Sequence, residues 1–266
     1  MSKVVLITGA SSGIGKSIAT YLHTKNYKVY GTSRNPSTVE VPFSMVALDV
    51  TKTETIQQAI ATIIQQEGKI DVVINNAGKG ITGPIEDTPT DEMRSNFETN
   101  FFGVIEVIKA VLPQMRQQQS GLIINTTSIA GYMGLPFRGI YSASKGALEL
   151  VTEALSMEVK SFGIKVVNVA PGDFATNIAA GRFHTPVYEH SAYKKTYAEN
   201  LALMDAHVDS GRDPMVMAKA VCQIIESNQP KIHYKVGAFM EKFSIVLKRI
   251  LPDKVYEKLL MNHYKL

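Results

Sequence analysis

The sequence predicts an α/β fold, a single doubly wound parallel sheet with helices on both faces. Two observations carry that expectation. Short apolar, β-branched runs alternate with longer stretches of helical period as far as Pro171-Gly172. A glycine-rich turn, Gly9 to Gly15, also joins the first run directly to the first periodic stretch.

The elements follow in order. Val4–Thr8 reads as a first strand, and Ser17–Lys25 continues with helical spacing at Ile18, Ala19, Tyr21 and Leu22. Lys28–Thr32 and Met45–Leu48 are the second and third strands. Thr53–Gln66 is a helix, since Ile56, Ala59, Ile60, Ile63 and Ile64 form one stripe. Asp71–Asn75 is a fourth strand, closed by Asn75-Asn76-Ala77-Gly78. Asp91–Gln118 is a long helical segment, with Pro113 bending it or marking its end. Leu122–Thr126 is the fifth strand, Ser142–Ser161 a helix, and Lys165–Val169 the sixth strand. With no internal repeat or linker, residues 1–266 are expected to form one domain.

Composition excludes several classes. Hydrophobic residues make up 45% and charged residues 20%, as in ordinary globular proteins. Cys222 is the only cysteine, which excludes an intramolecular disulfide and agrees with a reducing, cytoplasmic setting. No signal-peptide pattern precedes the first strand, and no apolar run is long enough to span a membrane. The net charge of +4 is unevenly placed: residues 231–266 hold eight Lys/Arg against three Asp/Glu. The basic character therefore belongs to the tail, and no nucleic-acid face is expected. The six histidines are scattered, so no metal site is expected.

The turn Thr8-Gly9-Ala-Ser11-Ser12-Gly13-Ile14-Gly15 suits a phosphate cradle. Glycine lets backbone approach a pyrophosphate, and the following helix offers its N-terminus to the negative charge. A glycine-rich turn can equally be a bland connector, but its place after the first strand favours a dinucleotide. The second strand then tests which one. An acidic residue there would hold a ribose 2′-hydroxyl, whereas this chain has Thr32-Ser33-Arg34. A guanidinium pairs with a 2′-phosphate that a carboxylate would repel, so NADP(H) is expected over NAD(H).

Ser128 follows the fifth strand, and Tyr141 and Lys145 stand at i and i+4 at the head of the next helix, one turn apart. A tyrosine with an ordinary pKa of about 10 is a poor base at neutral pH. One ammonium about 4 Å away is worth roughly 4 kcal/mol toward the phenolate at an effective dielectric of about 20. A lone Y-x-x-x-K more often means two solvated side chains, so these residues gain meaning only with their surroundings.

Taken together, these pieces resemble the short-chain dehydrogenase/reductase family over about residues 3–180. The motifs are Thr8 to Gly15 (T-G-x-x-x-G-x-G), Asn75 to Gly78 (N-N-A-G), Asn100 within a helix, Ser128, Tyr141 to Lys145 (Y-x-x-x-K) and Pro171 to Thr176 (P-G-x-x-x-T). Gly131 to Arg138 and the opening strand resemble the branch with 17β-hydroxysteroid and retinol dehydrogenases. The resemblance implies a Rossmann-type fold and an oxidoreductase moving a hydride between a nicotinamide and an alcohol or carbonyl carbon. It implies Tyr141 as general acid/base and Lys145 as holder of the nicotinamide ribose. Ser128 would orient the substrate oxygen, and Asn100 would support a water leading to Lys145. It further implies Gly9, Ser11, Ser12, Gly13, Ile14 and Gly15 around the pyrophosphate, and Ser33 and Arg34 at the ribose. Asp49 and Val50 would flank adenine, with Asn76, Ala77 and Gly78 on the adenosine and ribose side, Thr176 at the carboxamide, and Pro171 and Gly172 also binding the cofactor. Dimers or tetramers through the Asn100 and Tyr141 helices are implied as well. An epimerase or dehydratase would be expected to carry a different glycine spacing and a longer C-terminal domain. A non-catalytic nucleotide sensor would be expected to have lost Tyr141 or Lys145.

Residues 173–215 break the strand–helix rhythm and are rich in apolar and aromatic side chains such as Phe174, Ile178, Phe183, Tyr193 and Tyr197. A substrate lid over the nicotinamide is expected there, suited to a hydrophobic alcohol or ketone. His184 and His190 are read as surface residues. Residues 236–266 form a basic amphipathic extension interrupted by Pro252. Such a stripe more readily covers its own protein or a sister subunit than a membrane.

Overall fold

The computed structural model describes residues 2–175, 181–209 and 211–266, without the side chains of 203 and 205–209. Its elements are β1 (Val4–Ile7), α1 (Gly13–Thr24), β2 (Lys28–Ser33), β3 (Ser44–Ala47), α2 (Thr53–Glu67), β4 (Val72–Asn75) and β5 (Ile81–Thr82). There follow α3 (Thr90–Phe97), α4 (Gly103–Gln118), β6 (Gly121–Thr126), α5 (Gly139–Glu158) and β7 (Ile164–Pro171). The chain closes with β8 (Phe183–His184), α6 (Lys194–Asp209), α7 (Met215–Glu226), β9 (His233–Val236), α8 (Phe239–Ile250) and α9 (Asp253–Tyr264).

Seven strands form one parallel sheet in the order β3-β2-β1-β4-β6-β7-β9. The period of two along each strand distributes the core. Val4, Leu6, Val73 and Ile123 point to the side covered by α2, α4 and α5. Val5, Ile7, Val72, Ile74, Leu122 and Ile124 point to the side of α1 and α7. Strands buried on both faces therefore read as continuous apolar runs. Burial of each such side chain contributes about 1.5–3 kcal/mol.

The predicted fold class and the six predicted strands are present, with ends shifted by a residue or two. Three differences are informative. The expected 91–118 helix is two α-helices, α3 and α4, joined by a π-helical turn at Glu98–Phe102, while Pro113 lies well inside α4. The segment read as a pure lid has regular structure of its own: β8 pairs with β5 in a small second sheet, and α6 follows. A seventh strand, β9, extends the main sheet beside β7, inside the stretch read as tail. No helix among the described residues is long and apolar enough to cross a membrane.

Candidate active site

The strand order runs outward in both directions from β1 and β4, and a cleft of about 610 Å³ opens where the two directions part. In sheets of this kind ligands bind beyond the carboxyl ends of the strands at that point. Gly9, Ser11, Ser12, Gly13, Ile14 and Gly15 line one wall, with Ser33 and Arg34 after β2 and Asp49 and Val50 after β3. Asn76, Ala77 and Gly78 follow β4, and Tyr141, Lys145 and Pro171 complete the expected set. Three expected residues, Asn100, Ser128 and Gly172, stand off the cleft wall, and Thr176 lies outside the described residues.

The glycine turn is shaped by close approach. Gly9 has φ +68°, and a Cβ there would lie 2.9 Å from the Ala77 Cα. A Cβ on Gly15 would lie 2.2 Å from the Gly9 carbonyl oxygen and 2.4 Å from Asn76 Nδ2. The Asn76-Ala77 segment braces the turn from β4. Thr8 Oγ1 accepts from the Asn76 and Ala77 amides at 2.9 and 3.0 Å, and Asn76 Nδ2 donates to the Thr8 and Gly9 carbonyls at 3.1 and 3.0 Å. Gly15→Ala is accordingly expected to weaken dinucleotide binding at least about tenfold and to cost about 1–3 kcal/mol of stability. Fluorescence titration and thermal unfolding check both effects.

The residues around the cleft fit a dinucleotide. Ser33 Oγ and Thr126 Oγ1 line it, are buried, and have no hydrogen-bond partner among the described residues. Buried hydroxyls left unpaired in this way invite a ligand's oxygens. Burial works to raise the Asp49 carboxyl, but hydrogen bonds from Thr51 and the charges of Arg34 and Lys52 outweigh it and hold the group below its ordinary value. Among the described residues no cluster could hold a metal ion.

Lys145 is buried on α5, and its Nζ donates to the Thr126 carbonyl at 2.8 Å. Desolvation lowers its pKa to about 8, partly opposed by the Glu149 carboxylate one turn later. The Tyr141 ring carries the Arg138 guanidinium at 5.6 Å from its centroid. Ser128 caps a short 3₁₀ turn, and its Oγ accepts from the Ala130 amide at 3.2 Å, so its own proton remains available to a substrate oxygen. Asn100 sits in the π-helical turn, a feature frequent at functional positions. Its Oδ1 accepts from the Lys79 amide and its Nδ2 donates to the Lys79 carbonyl, both at 2.9 Å. It thus clamps the chain just past Gly78, whose ideal Cβ would stand 3.5 Å from Lys145 Nζ.

Sequence reasoning missed two features. Lys79, Ser95, Thr126, Thr127 and Gly181 also line the cleft. The rule that ligands sit beyond strand ends could have picked out Thr126 and Thr127, which close β6. Behind Lys145 lies a buried polar cluster centred on Glu149. Its carboxylate accepts from Thr127 Oγ1, from Tyr132 OH at 2.8 Å and from Asn168 Nδ2 at 2.9 Å, and faces His233 Nδ1 at 3.0 Å. Burial, followed by the Glu149 charge and hydrogen bond, raises the Tyr132 phenol. No local sequence signal joins these four elements. Of the two histidines read as surface residues, His190 is exposed and stacks on Tyr188, but His184 is half-buried with Nδ1 2.9 Å from Thr82 Oγ1.

Fold and cleft together define a dinucleotide-binding oxidoreductase. Residues 3–186 match the family model for short chain dehydrogenase, and the chain belongs to that family, whose chemistry uses a nicotinamide cofactor. It is 40% identical over 263 residues to a 3-ketodihydrosphingosine reductase of Bacteroides thetaiotaomicron, covering 98% of each chain. It is 32% identical to human retinol dehydrogenase 8 over 253 residues, covering 86% of this chain and 80% of that one. The structure of a short-chain dehydrogenase from Streptomyces avermitilis superposes with a TM-score of 0.84 at 31% identity, over 100% of this chain and 96% of the other.

Proposed function

We propose that this protein is an NADP(H)-dependent carbonyl reductase or alcohol dehydrogenase acting on a hydrophobic, long-chain ketone of the 3-ketosphinganine kind, or on the corresponding alcohol. The observation that carries the reading is the placement of Tyr141 and Lys145, one helical turn apart, in the wall of the cleft that the glycine turn also lines. The substrate class rests on the full-length similarity to the Bacteroides reductase.

The bound nicotinamide supplies the hydride for the carbonyl carbon. Ser128 donates a hydrogen bond to the carbonyl oxygen and orients it, keeping its own proton. Tyr141 delivers a proton to that oxygen as the alcohol forms, or removes it in the oxidation. Lys145 would hold the nicotinamide ribose. Asn100 keeps the Gly78-Lys79 backbone against Lys145 and supports the water path expected from the family resemblance. The described aromatic residues of the lid region argue for packing as well as for substrate: Phe174 and Tyr197 are buried, and Tyr197 packs on Phe137 at 5.4 Å. We place the enzyme in the cytoplasm, on the ground of its single, buried thiol. A dimer through the helices bearing Asn100 and Tyr141 agrees with exposed Phe102, Leu150 and Met157 along them.

NADP(H) preference is assigned to Ser33 and Arg34. Arg34→Ala should weaken NADPH binding by about 1.5–3 kcal/mol, roughly ten- to hundredfold, and leave NADH nearly unchanged. The test of the whole reading is NADPH oxidation, followed by absorbance, against 3-ketosphinganine, retinal, a steroid ketone and small sugars. Turnover of the long-chain ketone with NADPH supports it. Preference for NADH, or turnover of sugars alone, overturns it.

A further inference from the structure

The helices α8 and α9 cover the segment that follows Ser128, yet each turns an apolar stripe outward. On α8, Ile245 is 1% exposed and packs with Ile129, Met133 and Tyr256. Phe239 and Ile250 of the same helix are 72% and 67% exposed, with Phe243 and Val246 also at the surface. These four stand at i, i+4, i+7 and i+11, so they form one continuous line along the helix. Phe239 and Phe243 stack on each other, ring centroids 5.6 Å apart. Lys242 and Arg249 flank the line and are exposed. On α9, Val255 and Leu259 are likewise exposed, among Asp253, Lys254, Glu257 and Lys258, so the cationic excess lies on α8.

We propose that the outward faces of α8 and α9 are a docking surface for an anionic lipid bilayer, from which the enzyme draws its substrate. The expectation that this extension covers its own protein holds for Ile245, Leu247, Tyr256 and Leu260, but the Phe239–Ile250 line is left open. Two arguments choose a bilayer over a second copy of the chain. An apolar line with cationic flanks suits the interface of a negatively charged membrane. Two copies of the same basic face would repel each other. The position also suits delivery. Glu241 on the first turn of α8 accepts from the Asp173 amide at 2.9 Å, just past Pro171 of the cleft wall. At the other end, Tyr264 of α9 lies beside Arg138, the residue stacked on Tyr141. The reason for docking rests on the lipid-ketone reading, whereas the docking itself does not.

The test is flotation of the full-length protein with vesicles of phosphatidylcholine containing about 30% phosphatidylglycerol, and with phosphatidylcholine alone. The wild type should float with the anionic vesicles and at least about tenfold less with the neutral ones, or when salt rises from about 0.05 to about 0.5 M. Phe239→Ser/Phe243→Ser/Ile250→Ser and, separately, Lys242→Glu/Arg249→Glu should each lose at least about tenfold of the flotation. Both should keep wild-type turnover of a water-soluble ketone, which also shows that they fold. Absence of flotation, equal flotation of wild type and variants, or a wild-type oligomer dissolved by the triple substitution would overturn the proposal. Flotation without reduction of any ketone supports the docking surface and sinks the catalytic reading instead.

Discussion

Tyr141→Phe is expected to lower kcat by about 10³-fold, within the roughly 10²–10⁴-fold range of a positioned acid or base, while NADPH binds as before. The substitution is clean because it removes one oxygen and keeps the ring on which Arg138 stacks at 5.6 Å. Packing of α5 and the cleft wall should survive, so loss of activity cannot be assigned to unfolding. Fluorescence titration of NADPH and stopped-flow reduction of the ketone measure the two halves separately. A variant that retains a tenth or more of wild-type kcat would remove the phenol from its assigned role, whatever the fate of the substrate assignment.

The second large effect is on stability, and its sign follows from Lys145. Its pKa in the folded protein is about 8, below the ordinary value of 10.5, because burial disfavours the charged ammonium. Between these values the unfolded chain binds more protons than the folded one. Stability of the cofactor-free enzyme therefore gains from this group as pH rises from about 8 to about 10.5, and the full cost is present below about pH 8. The span corresponds to roughly 3 kcal/mol. Lys145→Met lacks the titration, so the stability of wild type relative to this variant should climb by about that amount across the window. The variant also leaves the Thr126 carbonyl without its 2.8 Å partner, a loss that does not vary with pH. Denaturant unfolding of both proteins at several pH values gives the difference. A flat difference would mean that the ammonium is compensated more fully than by Glu149 alone.

The parts legible from sequence share one property: each is a local pattern with a geometric consequence. The Gly9–Gly15 spacing implies close backbone approach, and Gly9 and Gly15 indeed leave no space for a Cβ. The Tyr141–Lys145 spacing implies one helix face, and both residues line the cleft. What escaped depends on residues far apart in the chain. The Glu149 cluster joins Thr127, Tyr132, Asn168 and His233, and no window of sequence contains that meeting. Strand β9 escaped because His-Tyr-Lys-Val is a poor apolar run, held by pairing with β7 and only half-buried. The π-helical turn at Asn100 escaped because it is a single wide turn between two helical stretches, and no residue type marks such a turn in sequence. The outward line on α8 was visible as a stripe, but only packing reveals which side of a stripe meets the protein.

The braces from Thr8 and Asn76 to the glycine turn have a thermodynamic consequence. The start of the turn, Thr8 and Gly9, is already fixed by these four hydrogen bonds and has lost its conformational entropy during folding, not on meeting the nucleotide. Binding free energy then comes from contacts with little ordering cost to offset them. Occupancy by the dinucleotide should in turn raise the melting temperature as the logarithm of its concentration once that concentration exceeds the dissociation constant.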